Sequence, residues 1–231
     1  AAEVLNKERQ KYTPKTRTPT REAIEGSINY AYNAADTSSP RVLLVGDSIC
    51  NAYQGDVRRL LDGRVNVSFW ASSRCVTDKD YFCELNHFIE QAPYALVCFN
   101  NGLHSFSTDR AEWQSAYRAA VDFITDSLPE TKVALTLCTP LRVEELTKKS
   151  AEMNEFVKKL AKERGLDTID LFSPMAGLSR AEYWRDDYHF TAEAVNMQAE
   201  IIAGYVLEAV ETVEGAAAHA ATLTGPDGKG E

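Results

Sequence analysis

From Arg41 onward the chain alternates between two kinds of apolar pattern, and that alternation narrows its possible folds more than any other feature. Short runs rich in β-branched residues, Val42–Val45, Val65–Phe69, Ala95–Phe99, Val133–Leu137 and Thr168–Leu171, are separated by stretches whose apolar residues recur at helical spacing. Trp113, Tyr117, Ala120 and Ile124 mark one helix, Met153, Phe156, Val157 and Leu160 another, and Val195, Ala199, Ile202 and Val206 the last. The runs show no in-out alternation, as is usual for strands of a parallel sheet covered by helices on both faces. Five such units predict an α/β chain with a three-layer α/β/α architecture around a five-stranded parallel sheet.

The ends read differently. Residues 1–19 carry Lys, Arg, Thr and two prolines and are expected to form an extended arm. Thr20 is a plausible N-cap, and Ile24, Ile28 and Ala31 recur at i, i+4 and i+7, which predicts a lead-in helix ending by Pro40. The main domain is then 40–213. From 214 the sequence is rich in Ala, Gly and Thr and is expected to be a disordered tail, because it offers too little apolar surface to offset the entropy of ordering.

At 231 residues the chain can bury a core as one domain. Its 34 Asp and Glu outnumber 25 Lys and Arg, for a formal charge of −9, which argues against nucleic acid as a partner. No run approaches the ~18 apolar residues of a membrane span, and the residues ahead of Lys7 carry no signal-sequence pattern. The expectation is a soluble protein, either cytoplasmic or exported after removal of a signal peptide. The five cysteines (Cys50, Cys75, Cys83, Cys98 and Cys138) have no metal-ligand spacing and are read as mostly free thiols, with Cys75–Cys83 the one pairing considered.

In open parallel sheets ligands gather beyond the carboxyl ends of the strands. There, the first strand runs into Gly46-Asp47-Ser48, with helical spacing following it. Ser48 is either a turn or capping serine or a nucleophile near a helix N-terminus, where the helix dipole favours developing negative charge. A nucleophilic serine needs a base, and the base needs an orienting group. Of the four histidines, His219 falls in the tail and His87 in a helix, where a surface or half-buried structural role is expected, whereas His189 stands in a loop just before the last helix with Asp186 three residues upstream and Asp187 as a rival. Cys50 is a weaker candidate nucleophile, without a cationic neighbour in sequence. Gly-x-Ser-x-Gly, Walker A and Gly-x-Gly-x-x-Gly motifs are absent, as are zinc-ligand spacings, so no metal or cofactor is implied.

Gly46-Asp47-Ser48 after the first strand and Asp186-x-x-His189 before the last helix resemble the first and fifth blocks of the SGNH (GDSL-type) hydrolases, in the family's order. The resemblance covers about Arg41 to Val210, and the lead-in segment resembles that of some carbohydrate-active members. It implies a flavodoxin-like domain and a serine esterase, with Ser48 as nucleophile, His189 as general base and acid, and Asp186 as its orienter. The second block usually supplies a glycine N–H to the oxyanion; here Ser72-Ser73-Arg74 stands in its place, so Arg74 or Ser73 is the expected donor. The third block, Gly-x-Asn, appears as Asn100-Asn101-Gly102-Leu103-His104. Alignment on Gly102 puts His104 at the asparagine position, with Asn101 and Asn100 as alternatives. Asn100 and Arg142 are expected to contact substrate. The substrate implied is a small-molecule or oligosaccharide ester, first of all an acetyl ester, with Trp70, Phe106, Tyr183, Trp184 and Tyr188 available to stack on sugar rings. Acyl transfer, lipid-ester hydrolysis and a carbohydrate-binding pseudoenzyme are the alternatives.

Overall fold

A computed structural model describes residues 11–12 and 22–223, with side chains described as far as Thr212. Six strands form one sheet: β1 (Ser27–Ala31), β2 (Arg41–Gly46), β3 (Asn66–Ser72), β4 (Leu96–Phe99), β5 (Lys132–Thr136) and β6 (Asp167–Ile169), in spatial order β1-β3-β2-β4-β5-β6. The five strands after β1 are mutually parallel. Their order, counted from the first of them, is 2-1-3-4-5, the flavodoxin-like winding, whose switch point falls between β2 and β4.

The side chains of β2 show how the layers form. Val42 and Leu44 point to one face, where they pack with α1 (Ser48–Leu60) and the last helix, α7 (Ala192–Leu223). Leu43 and Val45 point to the other, packed with α2 (Lys79–Ile89), α3 (Arg110–Ser127) and α4 (Glu144–Arg164). A strand buried on both faces has no solvent side on which to alternate, hence its continuous apolar run. Two short helices, α5 (Phe172–Ala176) and α6 (Arg180–Tyr183), link β6 to the last loop.

Two sequence expectations change. Within the segment where the lead-in helix is expected, Ser27–Ala31 is instead a strand: β1 pairs antiparallel with β3, from Ser27 opposite Ser72 to Ala31 opposite Ser68. β3 is buried along its length, and without β1 its outer backbone N–H and C=O groups would lack partners, so tertiary pairing overrides a short helical spacing. The last helix also continues through Leu223, past the expected boundary at 214, while residues 224–231 and most of the expected arm lie outside the described residues. Among the described residues no helix is long and apolar enough to cross a membrane.

Candidate active site

The turn after β2 is built by close packing. A Cβ on Gly46 would lie 2.6 Å from the Cys50 Cβ, so glycine lets α1 start directly against the strand end; its backbone has no positive φ. Asp47 caps α1, its buried carboxylate accepting the Ile49 N–H at 2.9 Å. Burial pushes the Asp47 carboxyl up, against the pull of His104, the Ile49 N–H and His189. Ser48 is thereby set at the first helical position, where a backbone N–H has no acceptor within the helix.

The loop from Tyr183 to Thr191 folds back on itself. Trp184 bridges Phe190, the Arg185 N–H donates to the His189 carbonyl at 2.8 Å, and the Thr191 N–H to the Tyr183 carbonyl at 2.9 Å. Trp184 and Phe190 pack as a buried pair at 4.5 Å, with Arg180 4.7 Å from the indole centre. Asp186 Oδ1 accepts the N–H groups of Tyr188 (2.9 Å) and His189 (2.8 Å). Its oxygens also lie 2.9 and 3.0 Å from His189 Nδ1. Desolvation alone would raise the Asp186 carboxyl, but these N–H groups outweigh it and hold the carboxyl well below the usual carboxylate range. An ionised carboxylate only accepts, so the ring's Nδ1 donates and Nε2 is left as an acceptor. Ser48 Oγ lies 2.9 Å from that Nε2, although 141 residues separate the two in sequence. Asp187 meets neither group through the imidazole bonds; its carbonyl accepts the Arg142 N–H at 3.0 Å.

Ser48 and His189 open into a cleft of about 600 Å³, also lined by Glu22, Leu103, His104, Phe106, Ser107, Lys149 and Tyr188. The other expected site residues fare unevenly. Asn101 is buried: one N–H of its amide donates to the Arg74 carbonyl at 2.9 Å, and its oxygen accepts the Val76 N–H at 2.9 Å and the Ser105 hydroxyl at 3.3 Å. It fastens the loop after β3 to the loop after β4 and stands outside the cleft lining, whereas an oxyanion donor is expected to face the cleft. Asn100 donates to the Thr136 carbonyl at 2.8 Å and does not line the cleft. Ser73 gives its N–H to Gly26 at 3.0 Å. The Arg74 N–H donates to Ser72 Oγ at 3.2 Å, and its guanidinium pairs with Glu84 and Glu25, away from the cleft lining. Arg142 is exposed and contributes its backbone, not its side chain, to the loop bearing His189.

His104 does line the cleft, and Glu22 bears on its hydrogen-bonding sense there. Its Nδ1 lies 2.8 Å from Glu22 Oε1. An uncharged imidazole that gives its only N–H to a carboxylate offers an acceptor at Nε2. Of the five aromatic residues considered for sugar stacking, Phe106 and Tyr188 line the cleft. Trp70 is buried against Tyr81 and Phe88, Trp184 is buried with Phe190, and Tyr183 packs against the core. Glu22 and Lys149 were not legible as cleft residues: one precedes the sheet and the other lies on a charged helix, with no local motif around either.

The competing thiol is inert by environment. Cys50 is buried, and burial, with a smaller contribution from Asp47, pushes it up to about 12 despite a hydrogen bond with Tyr53. All five cysteines are free, including Cys75 and Cys83. Among the described residues there is no cluster of three or more His, Cys, Asp or Glu suited to a metal ion.

No family model matches the chain, and no curated protein matches it in sequence. Solved structures do resemble it. A Bacteroides fragilis protein designated an acylhydrolase superposes with a TM-score of 0.63 at 17% identity, covering 78% of this chain and 95% of its own. A GDSL-like lipase from Bacteroides thetaiotaomicron gives 0.59 at 16%, covering 78% and 94%. An acetylxylan esterase from Geobacillus stearothermophilus gives 0.58 at 16%, covering 75% and 94%. Catalytic mutants of that esterase replace a serine, a histidine and an aspartate, the last two three positions apart in its chain. At this identity the likeness establishes the fold, that of the SGNH hydrolases.

Proposed function

We propose that the chain is a serine carboxylic-ester hydrolase, acting through an acyl-enzyme on Ser48. The observation that carries this reading is the unbroken line from Asp186 through His189 to Ser48, ending in an open cleft at the carboxyl edge of the sheet. His189 Nε2 takes the Ser48 hydroxyl proton as Oγ attacks the ester carbonyl, and Asp186 holds the imidazolium that forms. The carbonyl oxygen gathers charge beside the Ser48 N–H and the start of α1, where one donor is worth about 2.7–4 kcal/mol. The alcohol leaves with the proton from Nε2. Water, deprotonated by the same nitrogen, then releases the acid.

The substrate proposed is a short-chain, first of all acetyl, ester of a carbohydrate. The cleft supports a polar alcohol better than a long acyl chain, since Glu22, His104, Ser107 and Lys149 stand among its walls. Phe106 and Tyr188 offer apolar faces to a sugar ring. The likeness to an acetylxylan esterase points the same way. Ser48→Ala tests the reading: the variant should keep the wild-type melting temperature, lose hydrolysis of p-nitrophenyl acetate and no longer label with a fluorophosphonate. Comparable turnover in the variant would remove Ser48 as nucleophile.

A further inference from the structure

Ser48 shares its cleft with a second carboxylate–imidazole pair. Glu22 Oε1 meets His104 Nδ1 at 2.8 Å across 82 residues of sequence. The pair repeats the polarity of Asp186 and His189, with the acid on Nδ1 and Nε2 turned away from it. The difference is that Nε2 of His189 holds Ser48, whereas Nε2 of His104 has no hydrogen-bond partner among the described residues. Stability does not account for the contact. The Glu22 side chain is 45% exposed, and a contact this open to water, charged or not, contributes about 0–1 kcal/mol.

We propose that Glu22 and His104 form a hydroxyl-reading subsite, in which Glu22 keeps the imidazole proton on Nδ1 so that Nε2 accepts a hydrogen bond from a free hydroxyl of the substrate alcohol near its ester. The proposal rests on the esterase reading and narrows its substrate to esters of polyols or sugars that retain such a hydroxyl. Glu22 is a positioning residue: it fixes the tautomer and touches no reacting atom. The chemistry favours a hydroxyl because a lone pair facing a cleft needs a donor, and an ester alone has none to give. Ser107 and Lys149 line the same cleft and suit a polyhydroxylated partner. A polar acceptor left unpaired in the bound complex discriminates strongly against analogues that lack the matching donor.

The test uses acetylated methyl glycosides, each paired with deoxy analogues in which one hydroxyl flanking the ester is removed. For the wild type, kcat/KM should fall roughly 100-fold or more for one of the deoxy analogues, a modest share of what a built hydrogen-bonding site can reach. Glu22→Gln, whose amide can donate as well as accept, should lower that ratio to below about tenfold, and Glu22→Asp should restore part of it. A role confined to holding the segment before β1 in place would lower all rates without changing the ratio. The second readout does not need turnover. In Ser48→Ala, ¹⁵N NMR of the His104 ring should show Nδ1 protonated and Nε2 bare, with the Nε2 resonance shifting on addition of the acetylated glycoside and not of its deoxy partner.

Equal rates on hydroxylated and deoxy esters, or a free protein in which Nε2 carries the proton, would overturn the subsite. Failure of the esterase reading looks different: Ser48 would not label and no ester would turn over, while the NMR titration would still report on His104.

Discussion

Gly102 sits where the loop after β4 passes the end of β5, and a Cβ there would lie 2.1 Å from Cys138 Sγ. Carbon contacts are comfortable at about 3.5–4.0 Å, so Gly102→Ala has to absorb roughly 1.5 Å in a place where both residues are buried. Overpacking of this size costs about 3 kcal/mol, the upper end of the usual range. For a chain of this length that is a fall in melting temperature of roughly 6–12 °C. The next neighbours of the added carbon, Cys138 Cβ and Met153 Cε at 3.7 Å, are at ordinary contact. Removing the sulfur should therefore make room for it. Gly102→Ala with Cys138→Ala should return to within about 1 kcal/mol of wild type, a coupling of some 2–3 kcal/mol. Because Leu103 and His104 follow directly, the single variant should also lose about 100-fold in the proposed hydrolysis, as a displacement near 1 Å can do, and the double variant should regain most of it. Urea unfolding followed by circular dichroism, with turnover of an acetylated methyl glycoside alongside, measures both. If Gly102→Ala stays within 0.5 kcal/mol of wild type, or the two substitutions simply add, the packing argument is wrong.

Three further outcomes follow from the charges and thiols around Ser48. Asp186→Asn keeps the shape but can donate to Nδ1, forcing the proton onto Nε2. Turnover should fall roughly 10⁴-fold, the loss seen for the equivalent change in serine proteases, and a loss below tenfold would contradict the assigned orienter. The Asp186 carboxyl is held below its ordinary 3.8, so it contributes stability above that value which is lost as pH falls through its lower native one. The melting temperatures of wild type and Asp186→Asn should therefore converge on acidification below about pH 4, and parallel curves would deny the link. With its thiol pushed up to about 12 in the core, Cys50 should resist iodoacetamide at pH 8 while exposed Cys83 reacts, as peptide mass mapping can read; rapid Cys50 labelling in the folded protein would show that the helix start is open.

The parallel strands were legible because burial on both faces leaves a continuous apolar run, a signal contained within each segment. β1 was not, since Ser27–Ala31 becomes a strand through the edge of β3 that it covers, and that edge is 35 or more residues away in sequence. The positions of Ser48, Asp186 and His189 could be found from short motifs because the fold delivers strand and loop ends to one edge. Glu22 could not, because its meaning lies in a contact with His104 across 82 residues, and an isolated glutamate beside a short helical spacing carries no sign of it.

The roles of Asn101 and His104 turn on what each side chain has left to give. Both are polar, both follow β4, and a motif comparison treats them as interchangeable donors. In the folded chain Asn101 is buried outside the cleft lining, giving one N–H to the Arg74 carbonyl and accepting the Val76 N–H, so it keeps the two loops together. In the proposed subsite His104 gives its proton to Glu22 and keeps a lone pair at Nε2. Each thus supports the site by a route opposite to simple donation, one through backbone anchoring and the other through acceptance. In the proposed mechanism the oxyanion is met by the Ser48 N–H at the head of α1, and the cap that Asp47 places on Ile49 would then carry a functional consequence. By taking the neighbouring N–H, it fixes the first helical turn and leaves Ser48 as the donor beside the nucleophile.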